Sequence, residues 1–364
     1  MRLMVLEGDG IGPEIVAATL RVLAAVGERF GIDLAFEHHL IGLAALAAHG
    51  STFPGHIIGA VANFDGIVLG PVDHQRYPTP ELGGLNPSGQ LRKQLDLYAN
   101  IRPARTLPGL PPPCGRSFDL LIVRENTEGF YADRSMFVGS GEFMPTPDVA
   151  LSLRKITRDG STRIARSAFE LAGRRARRKV TAVHKANVLR VTDGLFLECV
   201  REVAEEYPEV EYEEQLVDAM TALLVRDPSR FDVIVTTNMF GDILSDLASE
   251  LSGSLGLAAS LNSGREFAIA QAQHGSAPDI AGEGVANPAS LIGSAGMLLA
   301  WIGERREDQR LIDAGAAISR AIADVLRLPQ HRTRDLGGDV GTAAFADLVA
   351  DALRSDASKG EDVA

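Results

Sequence analysis

The chain has 364 residues, 45% hydrophobic but only 5% aromatic, a length and balance that suit two domains or one large α/β unit better than an aromatic-rich β-sandwich. A formal charge of −12 argues against nucleic acid or an anionic membrane as main partner, although a local arginine cluster could still take a small anion. Two cysteines, Cys114 and Cys199, exclude a disulfide framework and a thiolate zinc site. With no run of eighteen apolar residues and no signal-peptide core at the start, a cytoplasmic location is the expectation.

Leu3–Leu6 reads as a first strand, 8-GDGIG-12 as a tight turn, and Pro13-Glu14 as a helix start, since proline suits the first helical position and glutamate the first turn. Position 13 breaks the G-x-G-x-x-G spacing, so this is a loop for close backbone approach and not a Rossmann fingerprint. Residues 64–70 give a second strand, 77–89 an irregular loop rich in Pro, Gly and Ser, and Leu91–Tyr98 a helical pattern. Leu120–Val123 is a buried strand, and residues 132–150 form an excursion suited to packing on a partner. Val180–His184 and Phe231–Thr237 are further strands. Ala289–Val325 reads as helical, and the polar tail after Asp351 as frayed.

The most informative stretch is 238-NMFGDILSDL-247, where a strand turns into a helix whose apolar stripe is Ile243, Leu244 and Leu247. Asp242 and Asp246, four apart, share one face of that helix. They suit a hard divalent cation at a ligand-binding strand end, or simply a solvated helix start. Arg92, Arg102 and Arg124 stand at chain irregularities and could recognise carboxylates, although any one of them alone reads more readily as a solvated, structural arginine than as a functional one. Lys185 and Tyr131 follow buried strands and could act as base and acid, while His184 would face the other way as an orienting group. Asp218 is a lone acid that matters only if it reaches Asp242 and Asp246. The basic run 174–179 lies between a helix and a strand, where cations favour the helix C-terminus.

Together these segments resemble one family, the metal-assisted, NAD(P)-dependent β-decarboxylating dehydrogenases that act on isocitrate, homoisocitrate, 3-isopropylmalate, tartrate and D-malate. The resemblance rests on 8-GDGIGPE-14, Leu91-Arg92 through 100-NIRP-103, 123-VRENTEGFY-131, 184-HKANV-188, Thr237 through Asp246, and His274 through Pro288, all in family order. It implies an α/β, two-domain, isopropylmalate-dehydrogenase-like fold with a large central mixed sheet, not a Rossmann fold. Residues 1–98 and 253–364 would form the large cofactor-side domain. Residues 99–252 would form a small domain with the dimer interface and a clasp arm at about 132–150. The assembly implied is a homodimer with shared active sites.

By that resemblance Asp242 and Asp246, with Asp218 of the second subunit, hold Mg²⁺ or Mn²⁺. Lys185 takes the substrate hydroxyl proton, Tyr131 protonates the enolate left by decarboxylation, and Arg92, Arg102 and Arg124 grip the departing carboxylate. Ser88 and Asn187 complete the substrate contacts. Ile11, His274, Gly275, Ser276, Ala277, Asp279, Ile280 and Asn287 would bind the cofactor. Asp279 would hold the adenosine ribose and repel a 2′-phosphate, implying NAD over NADP.

The run 86-NPSGQ-90 departs from the leucines of isopropylmalate enzymes and from the arginine of homoisocitrate enzymes. This favours isocitrate, tartrate or D-malate, with isopropylmalate or homoisocitrate as the alternative. Gln271 stands where relatives often have Glu, and Glu7 where they have Pro. A non-catalytic regulatory subunit is the alternative of a different class, against which the retained Lys185, Tyr131 and three aspartates speak.

Overall fold

The computed structural model describes residues 1–131, 136 and 138–361, with side chains to residue 355. Its centre is one ten-stranded mixed sheet in the order β2-β1-β3-β12-β11-β4-β5-β10-β8-β9. Five strands come from the chain ends: β1 (Arg2–Leu6), β2 (Ala35–His38), β3 (Gly66–Leu69), β11 (Leu261–Ser263) and β12 (Ala268–Gln271). The other five are β4 (Ala99–Arg105), β5 (Asp119–Glu125), β8 (Lys179–His184), β9 (Glu211–Leu216) and β10 (Val233–Thr236). The two groups meet at the antiparallel pair β11–β4, with Asn262 opposite Asn100. This strand order is not that of a Rossmann sheet.

Alternation along each strand divides the core into four clusters. On one side of the first group, Leu3, Val5, Val68 and Ala270 pack against α1 (Gly12–Phe30), α9 (Ala289–Arg306), α10 (Gln309–Leu326) and α11 (Thr342–Glu361). On the other, Met4, Leu6, Ile67 and Leu69 pack with Ile41, Ile57 and Val61, beside α2 (Gly42–His49) and in α3 (His56–Val61), and with Leu91 of α4 (Pro87–Gln94). In the second group Leu121, Val123, Val233 and Val235 face α5 (Arg158–Gly173) and α6 (Thr192–Glu205). Leu120, Ile122 and Ile234 face α7 (Val217–Arg226) and α8 (Asn238–Ser252). Shifting any strand by one residue would exchange these clusters, which is what pins the register.

Several elements differ from their expected bounds. Helix α4 starts at Pro87, inside the expected loop, because Asn86 Oδ1 caps it by accepting from Gly89 N at 3.1 Å. The helical stretch 289–325 is two helices, broken at Glu307 in the left-handed region (φ 54°) and restarted by the Asp308 cap. The tail after Asp351 continues as helix to Glu361. Ile243 is 53% exposed and leaves the predicted stripe, whereas Leu244 is fully buried.

Of the expected arm, residues 132–135 and 137 lie outside the described residues. The remainder includes an exposed hairpin, β6 (Glu142–Thr146) and β7 (Val149–Ser152). The basic run is spent internally: Arg175 pairs with Asp119 and Asp232, and Lys179 with Glu211 and Glu213. Among the described residues no helix is long and apolar enough to cross a membrane.

Candidate active site

Strands β4 and β5 run antiparallel with Asn100 opposite Arg124, so Arg102 and Arg124 emerge beneath α8, which packs on both strands. Arg124 is 2% exposed, and an arginine so buried needs anchors for its donors. Asn238 Oδ1 accepts from Nη2 at 2.6 Å and from Nε at 3.1 Å, and Asp242 pairs with Nη1. A Cβ on Gly241 would lie 2.6 Å from Arg124 Cγ, so the helix must carry glycine where the arginine passes. Arg102 Nη1 donates to Ser245 Oγ at 2.7 Å, Asp242 Oδ1 at 3.2 Å and Asp246 Oδ1 at 3.5 Å. Asn238, Asp242, Ser245 and Asp246 thus share one face of α8, of which the sequence spacing had marked Asp242 and Asp246.

Arg102 and Arg124 reach a cavity of about 290 Å³ together with Arg92, Tyr131, Asp242, Ser88, Gly89, Gln271 and His274. Burial raises the cost of ionising Asp242, but Arg124, then Arg102 and Arg92, outweigh it and hold the carboxyl below its usual range. Burial, and next the neighbouring Arg124, lower Arg102 to about 10, so its guanidinium stays charged at neutral pH. Tyr131 Oη donates to Asp242 Oδ2 at 3.5 Å, and its ring lies 5.8 Å from the Arg124 guanidinium carbon. Asp246, 56% exposed, also accepts from Gln273 Nε2 at 2.7 Å. This is a cation-walled pocket with hard oxygen donors on one side and a phenol at its edge.

Lys185, Asn187 and Asp218 do not line this cavity. Lys185 Nζ pairs with Asp218 Oδ1 at 2.7 Å, and that pairing depresses the Asp218 carboxyl. His184, a packing or orienting residue by expectation, is buried, and its Nδ1 accepts from Ala186 N at 3.1 Å. Among the described residues no three acidic, histidine or cysteine side chains stand together as metal ligands. Within one chain, then, Asp218 does not join Asp242 and Asp246.

A second cleft of about 730 Å³ adjoins the first and shares His274 and Gly275 with it. Ile11, Ala277, Ile280 and Asn287 line it as expected, together with Arg334 and Asp335, which the sequence did not point to. Ser276 and Asp279 do not line it: Ser276 is buried and Asp279 exposed. The backbone of Ser276 instead answers what the glycine turn approaches. Ile11 N donates to Ser276 O at 2.8 Å, and a Cβ on Gly10 (φ 58°) would fall 2.0 Å from that oxygen. Asp335 Oδ2 accepts from Asn287 Nδ2 and Ser254 Oγ, each at 3.0 Å. Burial lowers His274, whose Nδ1 contacts Gly275 O at 3.0 Å while Nε2 is buried without a partner among the described residues. Glu7, an unusual residue for its position, meets His38 Nδ1 at 3.0 Å on the surface, away from both cavities.

Comparison with known proteins agrees with this geometry. Residues 2–349 match the family model described as isocitrate/isopropylmalate dehydrogenase. The chain is 41% identical to an isocitrate/homoisocitrate dehydrogenase of Thermus thermophilus, covering 97% of this chain and 99% of that protein. It is 40% identical to a 3-isopropylmalate dehydrogenase of Archaeoglobus fulgidus, with the same coverage. The crystal structure of isocitrate dehydrogenase from Methylococcus capsulatus superposes with a TM-score of 0.85 at 40% identity, over 97% of this chain and 99% of that one. The chain therefore belongs to the isocitrate/isopropylmalate dehydrogenase family of decarboxylating dehydrogenases.

Proposed function

We propose that this protein is an NAD-dependent, Mg²⁺- or Mn²⁺-assisted oxidative decarboxylase of a 3-substituted (2R)-malate. Isocitrate, tartrate and D-malate rank ahead of homoisocitrate and 3-isopropylmalate. The observation that carries the reading is the convergence of Arg92, Arg102, Arg124, Tyr131 and Asp242 on one cavity. Three fixed cations match a substrate with several carboxylates, and the polar wall of Asn86, Ser88, Gly89 and Gln271 offers an alkyl group little to pack on.

The carboxylates fit a hard divalent ion: Asp242 is held ionised, and Asp246 stands one helical turn away on the same face. When bound, such an ion supplies a Lewis acid that stabilises negative charge on the C2 oxygen. Around it, Arg92, Arg102 and Arg124 orient the substrate carboxylates. Lys185 would receive the proton of the C2 hydroxyl; NAD, when bound in the adjoining cleft, would supply the hydride acceptor. Loss of the C3 carboxylate as CO₂ leaves an enolate, and Tyr131 supplies its proton.

Lys185 and Asp218 belong in this scheme only if a second copy delivers them, so the functional unit is a homodimer. Two observations support that assembly. The hairpin exposes Phe143, Met144, Val149 and Leu151, and Val188, Val191 and Ile243 are also exposed, near Lys185 on one surface and on α8 on the other. The domain division follows the sheet seam, with 1–98 and 253–364 against 99–252. The second cleft takes the adenosine end of NAD.

The test is a panel of the five acids with NAD or NADP, with and without Mn²⁺, following reduced cofactor and CO₂. One of the polar acids with NAD should turn over best, and only with metal. Asp246→Asn should lower kcat/KM by about a hundredfold or more without changing the elution volume. Metal-independent turnover, or an Asp246→Asn variant near the wild-type rate, overturns the reading.

A further inference from the structure

Gln271 ends β12 on the wall of the arginine cavity. Its Oε1 accepts from Asn262 Nδ2 at 3.2 Å, Ser88 Oγ at 3.3 Å and Arg92 Nη2 at 3.4 Å. Guanidinium only donates, so the Gln271 atom facing Arg92 is an oxygen. An independent constraint arrives from the interior. Asn126 Nδ2 donates to Leu97 O at 2.9 Å, a carbonyl that only accepts, and to Asn262 Oδ1 at 3.0 Å. Asn100 Nδ2 donates to the same Asn262 oxygen at 3.1 Å. Asn262 must then turn its NH₂ toward Gln271. Both routes set the same amide orientation: Oε1 is engaged, and the Gln271 NH₂ has no hydrogen-bond partner among the described residues.

That NH₂ belongs to a side chain lining the cavity, beside Ser88 and Gly89 at the start of α4. As a neutral group, Gln271 also adds no negative charge next to Arg92. We propose that Gln271 is a specificity-determining residue that selects substrates whose variable C3 substituent carries an oxygen acceptor, best a carboxylate as in a carboxymethyl group. The inference rests on the site assignment made above and adds to it the group that reads the variable substituent. An alkyl substituent would leave the NH₂ desolvated and unpaired, which disfavours it. The carboxylate of a C3 carboxymethyl group accepts from the NH₂, with the Arg92 guanidinium nearby.

The test uses Mn²⁺-loaded protein and the variant Gln271→Glu. The variant keeps the acceptor for Ser88, Arg92 and Asn262 but replaces the inward donor with a charged acceptor. Binding of isocitrate, D-malate and 3-isopropylmalate is measured by calorimetry, alongside KM and kcat. Gln271→Glu should weaken isocitrate about tenfold or more relative to 3-isopropylmalate, because like charges then face each other. D-malate, with hydrogen at C3, should change little. The effect should lie in KM, with the melting temperature nearly unchanged.

Equal losses for all three acids, or an unchanged ratio, would overturn the proposal and leave a structural part for Gln271. Wild-type protein that binds isocitrate with this ratio yet forms no NADH or CO₂ would sink the catalytic reading alone. Wild-type turnover with a flat ratio would sink only the role of Gln271. Failure to bind any of the acids would sink both.

Discussion

At the scale of single residues, the site is built by giving each buried charge a fixed partner. Arg124, 2% exposed, has its donors fixed by Asn238 and Asp242, and the arginines hold the Asp242 carboxyl below its ordinary range against the cost of burial. His274 shows the opposite solution, since burial lowers its affinity for a proton. Its folded-state value lies below the ordinary 6.5, so between the two the unfolded chain binds a proton that the native chain refuses. Stability is therefore complete above about pH 6.5 and falls as pH drops toward the folded value. Denaturant titrations from pH 7.5 to 5 should show this decline, and His274→Gln should flatten part of the slope. His184, lowered by burial as well, contributes in the same direction. A His274→Gln variant with the wild-type slope would show that the native ring takes up its proton as readily as the ring in the unfolded chain.

At the scale of elements, two loops far apart in sequence are locked by backbone contact. The turn at Gly10 has φ 58°, and its α-carbon hydrogen points at Ser276 O, where a methyl group has no room. Gly10→Ala adds backbone strain of about 1–3 kcal/mol and pushes the 274–280 loop away from α1. The melting temperature should fall by several degrees, and KM for NAD should rise about tenfold, with the hydroxy acid's KM nearly unchanged. An unchanged KM for NAD would mean that this loop does not shape the cofactor site. The sequence announced the glycine turn as a place of close approach, but nothing local named Ser276 as what approaches. Element boundaries went astray for a related reason. The Asn86 cap and the Glu307 break depend on single hydrogen bonds and one left-handed residue, which hydrophobic periodicity does not register.

At the scale of the whole molecule, strands β4 and β5 bring Arg102 and Arg124, and helix α4 brings Arg92, to a cavity shared with Tyr131, while Lys185 and Asp218 lie outside it. A shared-site dimer predicts subunit complementation. Lys185→Met and Asp246→Asn should each be inactive alone. After mixing and subunit exchange, about a quarter of wild-type activity should return, because each heterodimer assembles one intact site. No recovery, with exchange confirmed by mass spectrometry, would place the lysine and the aspartates in the same subunit's site.

The sequence by itself determined the family, through motifs in a fixed order along the chain, and singled out Arg92, Arg102, Arg124, Tyr131 and Asp242, which the fold brings to one cavity. Only the tertiary structure decided that Asn238 and Ser245 anchor Arg124 and Arg102. It also showed that Gln271 receives Ser88 from 183 residues away, and that Asp335 closes the second cleft. Those contacts join strands and loops that are distant in sequence, and hydrogen-bond direction exists only once the donors and acceptors have been brought together.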